Sequence, residues 1–336
     1  MIFASKPQSR ARRQFQSRGV FGRGKEYILS APKQNQFVRR VVGGNVWLGL
    51  ADSEAADAHV RPIDYEVLPT EEAVGRAQWE EIQRVGREKE GDIVFILLGG
   101  RGAQAMYKQV AEVAKTGEAD ELLGRLHVFT QDALAPMRMD NGLSFVRDFE
   151  RLLGPDFFRK VKSFTSMRTD TDDLEGELAR YLEKLDSLGG IDIFFLGMGP
   201  EPGEASHLAY IKPASGAKAS DLAGVIPISP SILEHHISKF KVGGSNVTPE
   251  DEAECRAASY ILTLGPAAIL GARRIVQSIV DASTSPAKPA SYKRLIETEI
   301  SDDPAERARQ LDENPGLWLR LHPNVRSLIL PDVLQA

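Results

Sequence analysis

Residues 93–107 read IVFILLGGRGAQAMY. Ile93 to Leu98 run without a polar break, as in a strand covered on both faces of a sheet. The turn Gly99-Gly100-Arg101-Gly102 follows, and a helix is expected from about 103 to 115. Strand, glycine turn and helix form the repeating unit of a parallel α/β sheet. Glycines let the backbone approach an anion, and a helix start offers free N–H groups to it. Arg101 would add a bidentate phosphate contact. The turn lacks Gly-Lys-Ser/Thr, and Gly99-Xaa-Arg101 breaks the dinucleotide-binding spacing. A plain tight turn stays open as the other reading.

The same alternation extends in both directions. Strands are expected at 65–68, 126–130, 161–166, 191–196, 224–229, 259–264, 274–280 and 325–330. Helices are expected at about 71–89 with Thr70 as N-cap, 141–153, 172–186, 249–257 and 266–273. FVRRVVGGNVWLGL, residues 37–50, reads as a hairpin around Gly43-Gly44, and Pro/Ser/Ala-rich 281–291 as a loop or linker. The fold class is therefore α/β with a mostly parallel sheet. Ligands of such sheets sit beyond the carboxyl ends of the strands. That rule points to the loops at 99–104, 131–138, 197–213 and 263–266.

The chain has 336 residues, 42% hydrophobic and 26% charged, which is globular composition and excludes collagen-like or wholly disordered classes. One cysteine, Cys255, excludes a disulfide framework and points to a reducing, cytoplasmic setting. No apolar run reaches the roughly 20 residues that span a bilayer. The net charge of −5 is unevenly spread: residues 1–40 hold ten Lys and Arg against Glu26, a net +9, which leaves −14 for the rest. This basic arm has the composition of a transit peptide but poor helical amphipathicity. It also suits a polyanion-binding tail, or an arm docked on its own acidic body or on a neighbouring subunit. Nucleic-acid binding rests on the arm alone.

Two further segments bear chemistry. In FTQDALAP, residues 129–136, Asp132 lies just past a strand end, where either a catalytic carboxylate or a turn-closing aspartate is placed. FFLGMGPEPGEASHLAYIKPAS, residues 194–215, carries Glu201, Glu204 and His207 after a glycine turn. A loop histidine at a strand edge can move protons near neutral pH, or can simply be exposed. No second His or Cys stands at metal-ligand spacing, and the adjacent His235-His236 would point about 100° apart on a helix. No metal is expected.

Taken in order, these segments resemble the glucosamine-6-phosphate deaminase family, and more distantly 6-phosphogluconolactonase, from about Tyr65 to the C-terminus. Residues 1–62, the basic arm and hairpin, lie outside the resemblance, and 63–336 would form a single sugar-phosphate isomerase/deaminase-like domain. LLGGRGAQAMYKQV resembles the family's phosphate loop with its downstream tyrosine, here Tyr107. HVFTQDALAP is similar to the strand ending in Met-Asp-Glu-Tyr, which puts Asp132 on the proton-abstracting aspartate. The SHLAYIKPAS segment is similar to Gly-His-Ile-Ala-Phe-Asn-Glu-Pro, which puts His207 on the ring-opening histidine. ISKFK puts Lys239 on a phosphate-binding arginine, while ILTLGPAA and LRLHP resemble later family segments.

The resemblance implies a modified Rossmann-like, mostly parallel sheet with helices on both faces, preceded by an N-terminal extension, together with a phosphosugar substrate, a homo-oligomer, no cofactor, and aldose–ketose isomerisation coupled to amine loss. It also implies an acid–base set of Asp132, His207 and Glu204, and an anion site of Gly99, Gly100, Arg101, Gly102, Lys212 and Lys239. The chain departs from the family at several of these places. Glu204 or Glu201 stands in for the aspartate of Asp-Gly-His, and Lys212 replaces a carboxylate. The Gly-x-x-Lys-Ala phosphate contact is lost around 281–288, where Lys288 is the nearest candidate. A divergent isomerase/deaminase, a non-catalytic phosphosugar-binding or structural homologue, and a lactonase-like hydrolase are the readings carried forward.

Overall fold

A computed structural model describes residues 27–28, 37–50, 59–199 and 207–335. Its strands, in chain order, are β1 (Tyr27–Ile28), β2 (Val38–Val42), β3 (Asn45–Gly49), β4 (Asp64–Val67), β5 (Ile93–Leu97), β6 (Leu126–Thr130) and β7 (Asp132–Ala135), followed by β8 (Ser163–Thr165), β9 (Ile193–Leu196), β10 (Asp221–Pro227), β11 (Tyr260–Leu264), β12 (Ile275–Ile279) and β13 (Val325–Ile329). Seven of them form a wholly parallel sheet in the order β4-β13-β12-β9-β5-β6-β8. Strands β5, β6, β9 and β12 are buried at every position, and β5 and β9 accordingly read as unbroken apolar runs. Phe95, Phe129, Phe194 and Phe195 fill the space between this sheet and its helices.

The helices are α1 (Glu71–Glu88), α2 (Gln104–Thr116), α3 (Asp120–Leu123), α4 (Phe145–Lys160), α5 (Leu174–Ser187), α6 (Pro230–Val242), α7 (Pro249–Ala257), α8 (Pro266–Leu270), α9 (Ala287–Glu297) and α10 (Pro304–Glu313). The Thr70 hydroxyl caps α1 by accepting from the Ala73 N–H at 3.2 Å, as its sequence position suggested. Helix α4 runs past the expected end at 153, through Gly154 at φ 72° and Pro155, because the chain kinks and resumes a helical course there.

Two expectations need correction. The strands at 224–229 and 259–264 do not join the parallel sheet. They enter a second, antiparallel sheet ordered β1-β2-β3-β10-β11-β7, in which β10 pairs with both β3 and β11. The segment 281–291 is not a linker: a short 3-10 turn at Ala282–Thr284 leads into α9, whose Tyr292 and Leu295 are fully buried. Burial of these two anchors outweighs the weak helix propensity of the Ser- and Pro-rich run.

The hairpin that lies outside the family resemblance is built into the body. Trp47 of β3 is 0% exposed and its indole donates to the Ser215 carbonyl at 3.1 Å. Arg39 pairs with Glu175, and Arg40 with the buried Asp221. These two arm cations therefore dock on acids of the same chain. The rest of the basic arm, 1–26 and 29–36, and with it the transit-peptide and polyanion readings, lies outside the described residues. Among the described residues, no helix is long and apolar enough to cross a membrane, and no cluster of His, Cys, Asp and Glu could hold a metal.

Candidate active site

Strand order in the parallel sheet reverses between β5 and β9, so the loops leaving these two strands diverge and leave a crevice. The β5 loop is Leu98 to Gly102 and the β9 loop starts Gly197-Met198-Gly199; both line a cleft at this point. Two glycines of the first loop are dictated by geometry. Gly100 has φ +82°, and a Cβ on Gly99 would stand 2.3 Å from the Phe145 ring. The loop is pinned from below. The Tyr107 hydroxyl donates to the Leu98 carbonyl at 2.7 Å, and both Gln78 and Ser278 donate to the Gly102 carbonyl.

One end of the cleft is cationic. Arg101 lies over the glycine loop and pairs with Glu71 at the start of α1. From α6, Lys239 donates to the Thr284 hydroxyl at 2.9 Å and stands 4.0 Å from the Asp281 carboxylate. From α9, Lys288 donates to Asp281 at 2.6 Å, with both side chains buried. Burial alone would raise the Asp281 carboxyl. The charge and hydrogen bond of Lys288, with the charge of Lys239, outweigh it and hold Asp281 below the usual carboxylate range. Burial lowers Lys239. His235, also facing this end, is pushed down to about 4 by burial and by Lys288 and Lys239, so it is neutral at pH 7. His236 is likewise pushed to about 4 by burial; its Nε2 donates to the Leu143 carbonyl at 2.7 Å and its ring stacks on Phe240.

The lining also holds Asp132. It opens β7, opposite Thr263 of β11, and is 3% exposed. Burial pushes its carboxyl up to about 8, against a hydrogen bond from Gln131. At neutral pH most of the group carries its proton. When ionised it is a stronger base than an ordinary carboxylate, and it sits near the pKa that favours proton transfer at physiological pH. Tyr210 lines the cleft beside it, raised by burial and by the Asp132 charge.

The sequence-derived residues divide between cleft wall, second layer and undescribed chain. Gly99, Gly100, Arg101, Gly102, Asp132 and Lys239 line one cleft. His207 is buried and bridges to Gly199, with its ring 6.2 Å from that of Tyr210; it sits behind the lining, not in it. Lys212 donates to the Pro227 carbonyl at 2.9 Å and does not reach the cleft wall. Glu204 and Glu201 lie outside the described residues. Of the four loops expected to form the site, 263–266 supports it from outside: the Thr263 hydroxyl accepts from the Tyr210 N–H at 3.1 Å.

Lys288, the nearest sequence candidate for the lost phosphate contact, lines the cleft, as do Gln131 and Tyr210 of the expected loops; His235 and Asp281 line it without a sequence signal having singled them out. The strand rule had the means to find Asp281, since it follows β12, a recognised strand of the same sheet. Cys255 is fully buried, and burial pushes its thiol up to about 12, which suits a structural role.

No family model matches the chain. It is 27% identical over 176 residues to the glucosamine-6-phosphate deaminase of Vibrio cholerae, a match covering 51% of this chain and 58% of that enzyme. A match at 25% identity over 242 residues to glucosamine-6-phosphate deaminase 1 of Bacillus subtilis covers 71% of this chain and 85% of the relative. Against the first relative, then, the matched segment spans little more than half its length. Among solved structures, a monomeric glucosamine-6-phosphate deaminase described as a missing link of the NagB superfamily superposes with TM-score 0.62 at 20% identity, over 81% of this chain and 99% of that one. The 6-phosphogluconolactonase of Trypanosoma cruzi superposes with TM-score 0.56 at 14% identity, over 83% and 98%. In sequence, then, this chain is similar to glucosamine-6-phosphate deaminases, and its fold is one found in a glucosamine-6-phosphate deaminase and in 6-phosphogluconolactonases.

Proposed function

We propose that the cleft binds a phosphorylated sugar and that Asp132 shuttles a proton between two adjacent carbons of it. The observation that carries this reading is that Asp132 and the cations Arg101, Lys239 and Lys288 line one cleft. The ester group lies against the glycine loop and the three cations. The other end of the sugar lies against Asp132. Ionised Asp132 removes the proton on the carbon bearing the amine, and the electron pair forms the enol double bond as the neighbouring carbonyl opens onto its oxygen, which takes a proton from water. Asp132 then returns a proton to the neighbouring carbon as the amine loses one to water, leaving an imine. Water then displaces ammonia and a ketose remains.

Deuterium exchange at C2, followed by NMR, together with ammonia release, tests this on a panel of amino-sugar phosphates. Asp132→Asn is expected to keep binding while slowing exchange by about 10²- to 10⁴-fold. Full exchange in that variant would show that Asp132 is not the base. A second reading draws on the raised Asp132: a carboxyl held protonated at pH 7 suits a protein that binds the sugar without turnover. Saturable binding with no exchange even at about pH 9, above the Asp132 value, would favour that reading. Acid release from a sugar-phosphate lactone in the same panel would instead favour hydrolysis.

A further inference from the structure

The cationic end of the cleft already contains anions. Each cation has a protein acceptor: Glu71 for Arg101, Asp281 for Lys288, and the Thr284 hydroxyl for Lys239, which also lies 4.0 Å from Asp281. Among the described residues, three cations thus face two carboxylates, with His235 neutral beside them. The site carries a net charge near +1.

Asp281 cannot swing away cheaply. It is 5% exposed, its carbonyl accepts from the Thr284 N–H, and its carboxylate is tied to Lys288 at the first turn of α9. A bound ester oxygen that reaches Lys239 and Lys288 must come close to the Asp281 carboxylate. The first negative charge of the ester is matched by the surplus cation. A second charge meets no free cation and faces Asp281 across a partly desolvated site, where like charges repel far more than in water.

We infer that Asp281 makes this site selective for a singly charged head group, either a sulfate monoester or a phosphate monoester in its monoanionic form, over a phosphate dianion. This deepens the phosphosugar reading and rests on it, by naming the charge state of the ligand. Phosphate monoesters take their second charge with a pKa of about 6. A sulfate monoester stays singly charged throughout the accessible range. The groups facing the ester are Asp281, Lys288 from α9, Lys239 and His235 from α6, and Arg101 with Glu71.

The test is calorimetric binding of glucosamine 6-sulfate and glucosamine 6-phosphate, at about pH 8 and about pH 5. For the natural chain, the sulfate is expected to bind at least as tightly as the phosphate at pH 8. Phosphate affinity should rise about tenfold at pH 5 while sulfate affinity stays level, which separates titration of the ligand from titration of the protein. In Asp281→Asn the order should invert at pH 8, with the phosphate dianion preferred by about tenfold. The comparison of the two esters on the natural chain needs no variant, so a poorly folding Asp281→Asn leaves the inference testable. A natural chain that prefers the dianion at pH 8, with phosphate affinity no higher at pH 5, overturns it. Failure of both esters to bind at either pH overturns the phosphosugar reading itself.

Discussion

Asp132 and Asp281 are two aspartates on the lining of one cleft, both nearly solvent-free, and their carboxyls move in opposite directions. Asp132 is pushed up to about 8 because burial meets only a neutral hydrogen bond from Gln131. Asp281 is held low because Lys288 at 2.6 Å and Lys239 at 4.0 Å outweigh a similar burial. Burial sets the cost of charge, and the nearest cation decides whether that cost is met. One aspartate is left able to exchange a proton; the other is locked as a fixed charge.

The opposite shifts of the two aspartates act most strongly on the pH dependence of stability. Between about pH 4 and pH 8 the folded chain keeps a proton on Asp132 that the unfolded chain has released. Its contribution is complete below the unfolded value and is lost as pH rises through about 8, on the order of 5 kcal/mol in all. Asp281 behaves in the opposite sense, stabilising above the usual carboxylate range and failing as pH falls through its lowered value. Asp132→Asn should match the natural chain near pH 4 and exceed it in urea midpoint near pH 8. An unchanged slope would mean that Asp132 is ionised in the fold.

Somewhat smaller is the cost of turning one aspartate into the other. Lys288→Met leaves Asp281 buried beside a single, more distant cation, and should cost about 3–5 kcal/mol. Adding Asp281→Asn should recover most of that loss in thermal melts, because the stranded charge is gone. If the double variant is no more stable than Lys288→Met, the damage lies in packing and not in charge. The smallest effect belongs to Lys239→Gln. It removes one charge-assisted contact to the ester, worth about 1.5–3 kcal/mol of binding. Phosphosugar affinity should fall by roughly tenfold or more while folding stability changes little, since Lys239 is partly exposed.

Legibility in the sequence followed the range of the interactions that fix each element. IVFILL announced β5, because a strand covered on both faces must be apolar throughout. Thr70 announced α1, because a cap is a contact over three residues. β7 was invisible: DALA has no alternation and becomes a strand only by pairing with β11, more than a hundred residues away. α9 was hidden by Ser285, Pro286 and Pro289, and is held by long-range burial of Tyr292 and Leu295. The site divided in the same way. The glycine loop and Asp132 stand at strand ends and could be read locally. Lys288 reaches the cleft only through the turn and helix of α9, after a run that breaks the family's spacing, and Asp281 was passed over because the segment it opens looked like a linker.

The β2–β3 hairpin has a consequence for any attempt to trim the chain to its recognisable part. Strand β10 is seven residues long and largely buried, and β3 is what covers its outer hydrogen-bonding side. A version starting near residue 62 would present that apolar strand as an open template for intermolecular pairing. Trp47 would also be lost from the space it fills against Ser215 and Gly224. Such a fragment is expected to precipitate on expression even though every residue that resembles the relatives is still in it.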